Sequence, residues 1–141
     1  MAASDGRMRA LAAKADQGEH MPFPVSEALI IEAEHALGRR LPRPFRERLV
    51  RNNGGEVASA EDNWTIHPVW DPTDRRTIAR TASHIVIEVD QARAWAGFPS
   101  DAIPLAINDE GDRIIVRAAR DDPEFWDHET GLTTSIDIDW R

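Results

Sequence analysis

The segment "FWDHETG", residues 125–131, places side by side three side chains that bind metals or transfer protons: Asp127, His128 and Glu129. An imidazole and two carboxylates are donor types that hold a divalent cation and allow it to activate water. The segment is therefore a candidate for a metal-assisted hydrolase that uses His128 with nearby carboxylates. Whether it can work in this way depends on the element that carries these side chains and on the direction in which each one points.

The pattern of residues 124–128 predicts a strand, and successive side chains of a strand face opposite sides. Trp126 and His128 are then expected on one face and Asp127 on the other, so Asp127 and His128 do not meet on one ion unless the strand bulges. Neither H-E-x-x-H nor another zinc spacing is present. Gly131 suits a turn that needs positive φ. We interpret the segment as the end of a strand and a turn, and we predict no catalytic residue, metal or cofactor.

Two further segments have the composition of ligand-binding loops. "NNGGE", residues 52–56, is rich in glycine, but it follows a predicted helix, whereas a phosphate loop precedes one. We interpret it as a helix C-cap. "NDEGD", residues 108–112, is rich in oxygen ligands, but an EF-hand would need an acidic residue at Ala106. We interpret it as a tight acidic turn.

The length of 141 residues suits a single compact domain, which we assign to residues 1–141 with an N-terminal helical extension over 1–21. The absence of cysteine excludes disulfides and thiolate metal sites and fits a reducing compartment. The sequence contains neither an apolar run of the ~20 residues that span a bilayer nor the apolar stretch of a secretory signal. We therefore expect a cytoplasmic protein.

The formal net charge of −8 is unevenly distributed. Residues 101–141 contain eleven carboxylates and four arginines, a net charge of −7, whereas residues 38–51 contain six arginines and one glutamate, a net charge of +5. A strongly acidic region repels nucleic acids and anionic membranes and attracts basic proteins. The charge therefore favours a protein partner over nucleic acid or membrane, although plain solubility explains it equally well.

The arginines of the basic segment are expected to form a solvated helix face paired with nearby carboxylates. Only Phe45 is interleaved with them, so a base-stacking surface is not indicated. The six residues are Arg39, Arg40, Arg43, Arg46, Arg48 and Arg51. Trp70 lies in a predicted loop before "DPTD", and we expect it to be exposed and to contact a partner.

Local signals predict four helices followed by antiparallel strands, which is an α+β fold. The helices are expected over 5–17, 26–38, 42–51 and 83–97, the last with Ser83 as cap and Gly97 as stop. An earlier strand is expected at 63–67, and a meander of four strands at 102–107, 113–118, 124–128 and 132–138.

Three segments, in this order, resemble the SUKH superfamily in its Smi/Knr-type branch. "SEALIIEAEHALGRRLPRPFRERLVRNNGG" is similar to the opening pair of helices, "FPSDAIPLAINDEGDRIIV" to the Pro–Asp–Ile-Pro–Ala–Gly-Asp hairpin, and "FWDHETG" to the Trp-x-His-Glu signature. The similarity covers roughly residues 22–132. It implies a twisted antiparallel sheet, a meander with helices packed beside it. The residues that match family positions are implied to be fold markers: Gly38, Leu41, Pro42, Asn53, Gly54, Asp112, Trp126 and His128.

The resemblance also implies a function, since bacterial relatives are immunity proteins that bind toxins, often nucleases, and fungal relatives are hub-like regulators of cell-wall synthesis. We expect a non-enzymatic immunity protein that binds a basic toxin domain, with a regulatory or adaptor protein as the alternative. Acidic side chains at or beside turns are predicted to face the partner: Asp109, Glu110, Asp121, Asp122 and Glu124.

Overall fold

The computed structural model describes residues 23–59 and 62–141. The helix expected over residues 5–17, and the extension 1–21 that contains it, lie outside the described residues. In the part of the chain that is described, four helices and six strands form an α+β fold, as the sequence predicts. None of the described helices is long and apolar enough to cross a bilayer.

Two helices open the described fold where the sequence predicts them. The first, α1 (Glu27–Leu37), begins after Ser26, whose hydroxyl accepts a hydrogen bond from a backbone N–H of the first turn. Gly38 ends it with a left-handed φ of 79°. The second helix, α2 (Arg43–Arg51), follows Pro42 directly, since proline lacks the N–H that a helix start leaves unpaired.

The strands form one antiparallel sheet in which each strand pairs with the next along the chain. This confirms the predicted meander. The pattern does not predict the first strand, whose four residues are too few to show an alternation. The strands are β1 (Glu56–Ser59), β2 (Asp62–Ile66), β3 (Ile103–Ile107), β4 (Arg113–Val116), β5 (Glu124–Trp126) and β6 (Thr133–Ser135).

Two more helices lie between β2 and β3. The short α3 (Arg75–Arg80) was not predicted, and a reciprocal capping box between Asp74 and Thr77 starts it. The predicted helix over 83–97 is shorter in the structure, where α4 spans Ile85–Arg93 with His84 rather than Ser83 at its N-cap. The residues up to Gly97 form a loop instead of a last turn.

One face of the sheet packs with α1 and α2 around the main core. Trp64 is fully buried there, and its ring meets Phe125 edge-on at 5.8 Å between centroids. Burial of one indole removes ~200 Å² from water, worth ~5 kcal/mol at 25 cal/mol/Å² as an upper estimate. Other members of this core are Ile30, Phe45, Leu49, Ile66, Leu105, Ile114, Val116 and Trp140.

The opposite face of β4 and β5 is also covered. Ile115 and Trp126 pack there against Ala92 of α4 and Phe98 of the loop after it. Because all four residues of β4 are buried, the exposed side chains of this part of the sheet lie mainly on the connections at its two ends. These connections position the candidate site.

Candidate functional site

The five acidic residues predicted to face a partner lie at opposite ends of the sheet. Asp109 and Glu110 belong to the β3–β4 connection, whereas Asp121, Asp122 and Glu124 lie at or beside the β4–β5 connection. Successive connections of an antiparallel meander alternate between the two ends of the strands. The four residues of β4 alone separate these two connections by ~13 Å, at ~3.3 Å per residue. The five side chains therefore do not form one continuous surface.

At the end that holds the β4–β5 connection, most acidic charge is neutralised within the fold. The Arg39 guanidinium lies 2.8 Å from the Asp121 carboxylate and also donates to two backbone carbonyls of the connection. Glu124 is largely buried and lies 3.4 Å from Arg120. Asp122 is exposed and makes no ion pair with another described residue. We call this region the Arg39 end of the sheet.

At the other end, the β3–β4 connection forms the tight acidic turn that the sequence predicts. The Asn108 side-chain oxygen accepts hydrogen bonds from the backbone N–H groups of Glu110 at 3.0 Å and Asp112 at 2.9 Å. These bonds fold the turn around an internal amide and leave the side chains of Asp109 and Glu110 at its tip. Both tip residues are exposed, and neither forms an ion pair within the described chain.

Asp112 joins this turn to the connection between β5 and β6. Its Oδ1 accepts the backbone N–H of His128 at 3.0 Å and lies 2.7 Å from His128 Nδ1. Gly111 lies beside the ring and adopts a φ of 99°, in the region that favours glycine. The two connections are therefore held together, and the imidazole is fixed in orientation. We call this region, residues 108–112 and 127–132, the His128 end of the sheet.

The contact shifts the pKa of both partners. The hydrogen bond to Asp112 raises the pKa of His128 above 6.5 and outweighs the partial burial of the ring. Burial opposes ionisation of Asp112, but hydrogen bonds from His128 and Asn108 hold the pKa of its carboxyl below 3.8. The pair therefore stabilises the fold between these two pKa values. Its contribution is lost as pH falls through that of Asp112 or rises through that of His128.

The prediction that Asp127 and His128 cannot meet is wrong. Strand β5 ends at Trp126, and the alternation of side chains holds only while the backbone is extended. In the turn that follows, the ligand atoms of Asp112, Asp127 and His128 all lie within 4.8 Å of one another. Asp127 Oδ1 also accepts the backbone N–H of Glu129 at 2.8 Å. The three groups close two turns, and their donor types also suit a divalent cation.

The loop after α4 packs against the same connection. The Trp95 ring meets the His128 ring edge-on, with 6.1 Å between centroids. The buried indole N–H of Trp126 donates to the Gly97 carbonyl at 3.1 Å. The sequence did not single out Trp95, because this residue falls inside the predicted helix over 83–97. At that position nothing distinguishes it from the other side chains of the helix.

The chain matches the model of the SMI1 / KNR4 family (SUKH-1) over residues 24–136. The matched residues include α1, α2, all six described strands and the whole His128 end. The chain belongs to this family. No curated protein matches the sequence.

The fold markers that join α1 to α2 of this SUKH-1 protein have structural positions. Gly38 ends α1, and Leu41 and Pro42 are buried before α2. The buried carboxylate of Glu34 accepts the backbone N–H of Leu41 at 2.7 Å and the Nε–H of Arg46 at 2.9 Å. The connection is therefore held from inside by a buried acidic side chain that the helical pattern does not reveal.

The markers after α2 fix the end of that helix. The Asn53 amide donates to the Val69 carbonyl and accepts the Val69 N–H, both at 2.9 Å. Gly54 adopts a φ of 117°, in the region that favours glycine. The predicted helix C-cap is confirmed at residues 52–56, with Asn52 as the cap residue.

Three of the six arginines of residues 39–51 form ion pairs with carboxylates, namely Arg39, Arg43 and Arg46. Arg46 bonds Glu27 and Glu34, and Arg43 bonds Glu47 one turn away, as the sequence predicts. Arg48 is instead buried and donates to the backbone carbonyls of Trp140, Gly54 and Glu56. The other five arginines line an open cleft of about 950 Å³.

Trp70 is exposed, as predicted, at 37% of its surface, and its ring stacks at a tilt on His84. It follows Ile66, the last residue of β2. The first residue of β2, Asp62, bonds Asn108 at the His128 end, so β2 leaves the sheet at the opposite end. Trp70 therefore does not belong to the His128 end.

A buried polar cluster beneath α4 was not predicted from the sequence. His67 Nε2 lies 4.0 Å from a carboxylate oxygen of Glu88, and this atom, like Nε and Nη1 of Arg113, makes no hydrogen bond within the described chain. Burial, together with the charge of Arg113, lowers the pKa of His67 to about 3. Burial raises the pKa of Glu88 against the effect of Arg113.

Proposed function

We propose that this SUKH-1 protein is a non-enzymatic protein-binding module, a bacterial immunity protein that neutralises a cognate toxin domain, such as a nuclease, by stoichiometric binding in the cytoplasm. The observation that carries the proposal is the uncompensated acidic charge at the His128 end. Asp109, Glu110 and Glu129 are exposed there without ion pairs to other described residues. Such a surface attracts a basic partner and increases its association rate.

The same geometry refines the expected contact residues. Asp109 and Glu110 are available at the His128 end, and Asp122 is available at the Arg39 end. Asp121 and Glu124 are already paired with arginines of the fold, so they contribute less to the field that a partner meets. Trp70 is exposed and stays a candidate contact on a separate surface. We propose neither nucleic acid nor membrane as partner, since an acidic surface repels both.

Growth of a bacterial host tests this function, because the gene of an immunity protein lies beside that of its toxin. The toxic domain encoded by the adjacent gene is induced with and without this chain. We expect the chain to restore growth and to elute with the domain as a one-to-one complex. A neighbour whose toxicity the chain leaves unchanged would contradict the proposal and favour the regulatory or adaptor alternative.

A metal-assisted hydrolase is the second candidate, because Asp112, Asp127 and His128 bring two carboxylates and one imidazole together. Elemental analysis of the purified protein, before and after incubation with zinc or manganese, tests it. We expect no stoichiometric metal, since each of these carboxylates already accepts backbone hydrogen bonds that close a turn. Retention of one ion per chain, lost in His128→Gln, would support the hydrolase instead.

A further inference from the structure

Two large apolar side chains are exposed beside the acidic turn of the His128 end. Trp95 is 47% exposed and Leu132 is 68% exposed. The segments that carry them touch through Gly97 and Gly131, where a Cβ on Gly97 would lie 3.3 Å from the Cα of Gly131. Trp95 and Leu132 therefore lie on neighbouring segments of one surface, and a close backbone contact fixes those segments relative to each other.

The hydrogen bonds between Asp112 and His128 also fix the shape of this surface. The His128 ring, fixed by Asp112 at 2.7 Å, meets the edge of the Trp95 indole. A side chain that is already ordered loses less conformational entropy when it binds. Exposed tryptophans in well-ordered surroundings are the residues most often responsible for binding energy at protein interfaces.

Three acidic side chains lie on the segments that adjoin this apolar pair. Asp109 and Glu110 extend from the turn joined to His128, and Glu129 follows His128 directly. All three are exposed and form no ion pair with another described residue. The Arg39 end differs in charge, because two of its three carboxylates are paired, Asp121 with Arg39 and Glu124 with Arg120.

We propose that the docking surface formed by Trp95, Leu132, Asp109, Glu110 and Glu129 binds a basic loop of a protein partner, in which arginine or lysine lies next to an apolar side chain. The apolar side chain packs on Leu132, the cation lies over the Trp95 ring, and the carboxylates complement the remaining positive charge. This inference rests on the proposed function and names the part of the molecule that performs it.

A titration that requires no toxin tests the surface directly. A synthetic peptide of Gly-Arg-Leu-Arg repeats is added to the isotope-labelled full chain at low salt, and the amide and indole resonances are followed. We expect the largest shifts at residues 108–112 and 127–132 and at the Trp95 indole. A peptide of Gly-Glu-Leu-Glu repeats controls for charge and should produce none of them.

Variants with matched controls distinguish binding at this surface from a general attraction of the basic peptide to an acidic protein. Replacement of both tip residues, Asp109→Lys with Glu110→Lys, should weaken peptide binding about tenfold or more, and Trp95→Ala should do the same. Glu32→Lys changes an exposed carboxylate of α1, and Ile78→Ala removes an exposed apolar side chain of α3. Both controls should leave the affinity within about twofold of the unsubstituted protein.

Several results would overturn the inference. The first is that the basic peptide does not bind at low salt, and the second is that the largest resonance shifts lie at residues 117–124. The third is that the control variants weaken peptide binding as much as the variants of the docking surface do. Shifts of the same amides with protein concentration alone would assign the surface to a second copy of this chain, whose arginine-lined cleft is also basic. The titration contains no toxin, so its result and the result of the growth test are independent. A negative titration contradicts the docking surface alone, and a negative growth test contradicts the proposed function alone.

Discussion

Burial of His67 beneath α4 keeps its imidazole neutral at pH values where an exposed histidine is charged. The folded pKa of about 3 lies below the ordinary value of 6.5, so the unfolded chain binds a proton between these values and the folded chain does not. The free energy of unfolding is therefore independent of His67 above pH 6.5 and decreases as pH falls from 6.5 towards about 3.

We expect protonation of this residue alone to lower the free energy of unfolding by ~1.4 kcal/mol for each unit by which pH falls between the two pKa values. Urea unfolding of the protein and of His67→Leu at stepwise lower pH checks the slope, since leucine removes it. His35→Leu, at an exposed position of α1, is the control and should follow the unsubstituted protein. Parallel curves for all three proteins would show that His67 is not buried as a neutral base.

Substitution of Gly97 tests the backbone contact with Gly131 that fixes the docking surface. Gly97 and Gly38 both adopt left-handed φ, 85° and 79°, but a Cβ on Gly38 meets nothing within 4 Å. Gly38→Ala should therefore cost only the backbone strain, ~1 kcal/mol. Gly97→Ala should cost at least ~1 kcal/mol more, because the added carbon presses on the Gly131 backbone. Thermal unfolding that gives equal losses for the two variants would contradict this contact.

At the scale of elements, Asn53 connects the end of α2 to the segment that leaves β2. Both of its amide groups bond the backbone of Val69, and the site is buried. Asn53→Ala should reduce the free energy of unfolding by ~2 kcal/mol, since two buried backbone groups lose their partners. Asn63→Ala, exposed on β2, should change it by less than ~0.5 kcal/mol. Chemical denaturation that shows similar losses would mean that Asn53 does not hold the helix end.

Elements with local signals were predictable from the sequence. Ser26 and Gly38 mark the ends of α1 by their own hydrogen bonding and φ, and Gly131 marks a turn for the same reason. The four-residue β1 and the six-residue α3 were missed, because neither is long enough to show a period. Their formation depends on pairing with β2 and on the Asp74 capping box, respectively.

The candidate site was less predictable, because it depends on where elements end and on what they meet. The alternation rule failed at Asp127 because β5 ends one residue earlier. The pairing of Asp121 depends on Arg39, which is distant in sequence. Trp95 is exposed in the loop after α4, which ends at Arg93. Composition indicates an acidic tail, but only tertiary contacts decide which carboxylates remain free.

The whole molecule separates its charges in space. The arginine-rich segment 38–51 lies on the helices and lines the cleft, whereas the unpaired carboxylates Asp109, Glu110 and Glu129 project from the His128 end. We propose that the unpaired carboxylates at this end of the sheet steer a basic partner towards it. The steering weakens with salt, because exposed charges are screened beyond ~10 Å at 0.1 M ionic strength.

The most direct test of the central claim is the affinity of this chain for the product of the gene adjacent to its own, which the proposed function predicts to contain a toxin domain. Calorimetry at low and moderate salt measures it for the unsubstituted protein, for Asp109→Lys with Glu110→Lys, and for Glu32→Lys, which changes an exposed carboxylate of α1. We predict a one-to-one complex that salt weakens, and a dissociation constant raised about tenfold or more by the first variant only. Absence of a complex, or equal affinity for all three proteins at both salt concentrations, would contradict the account.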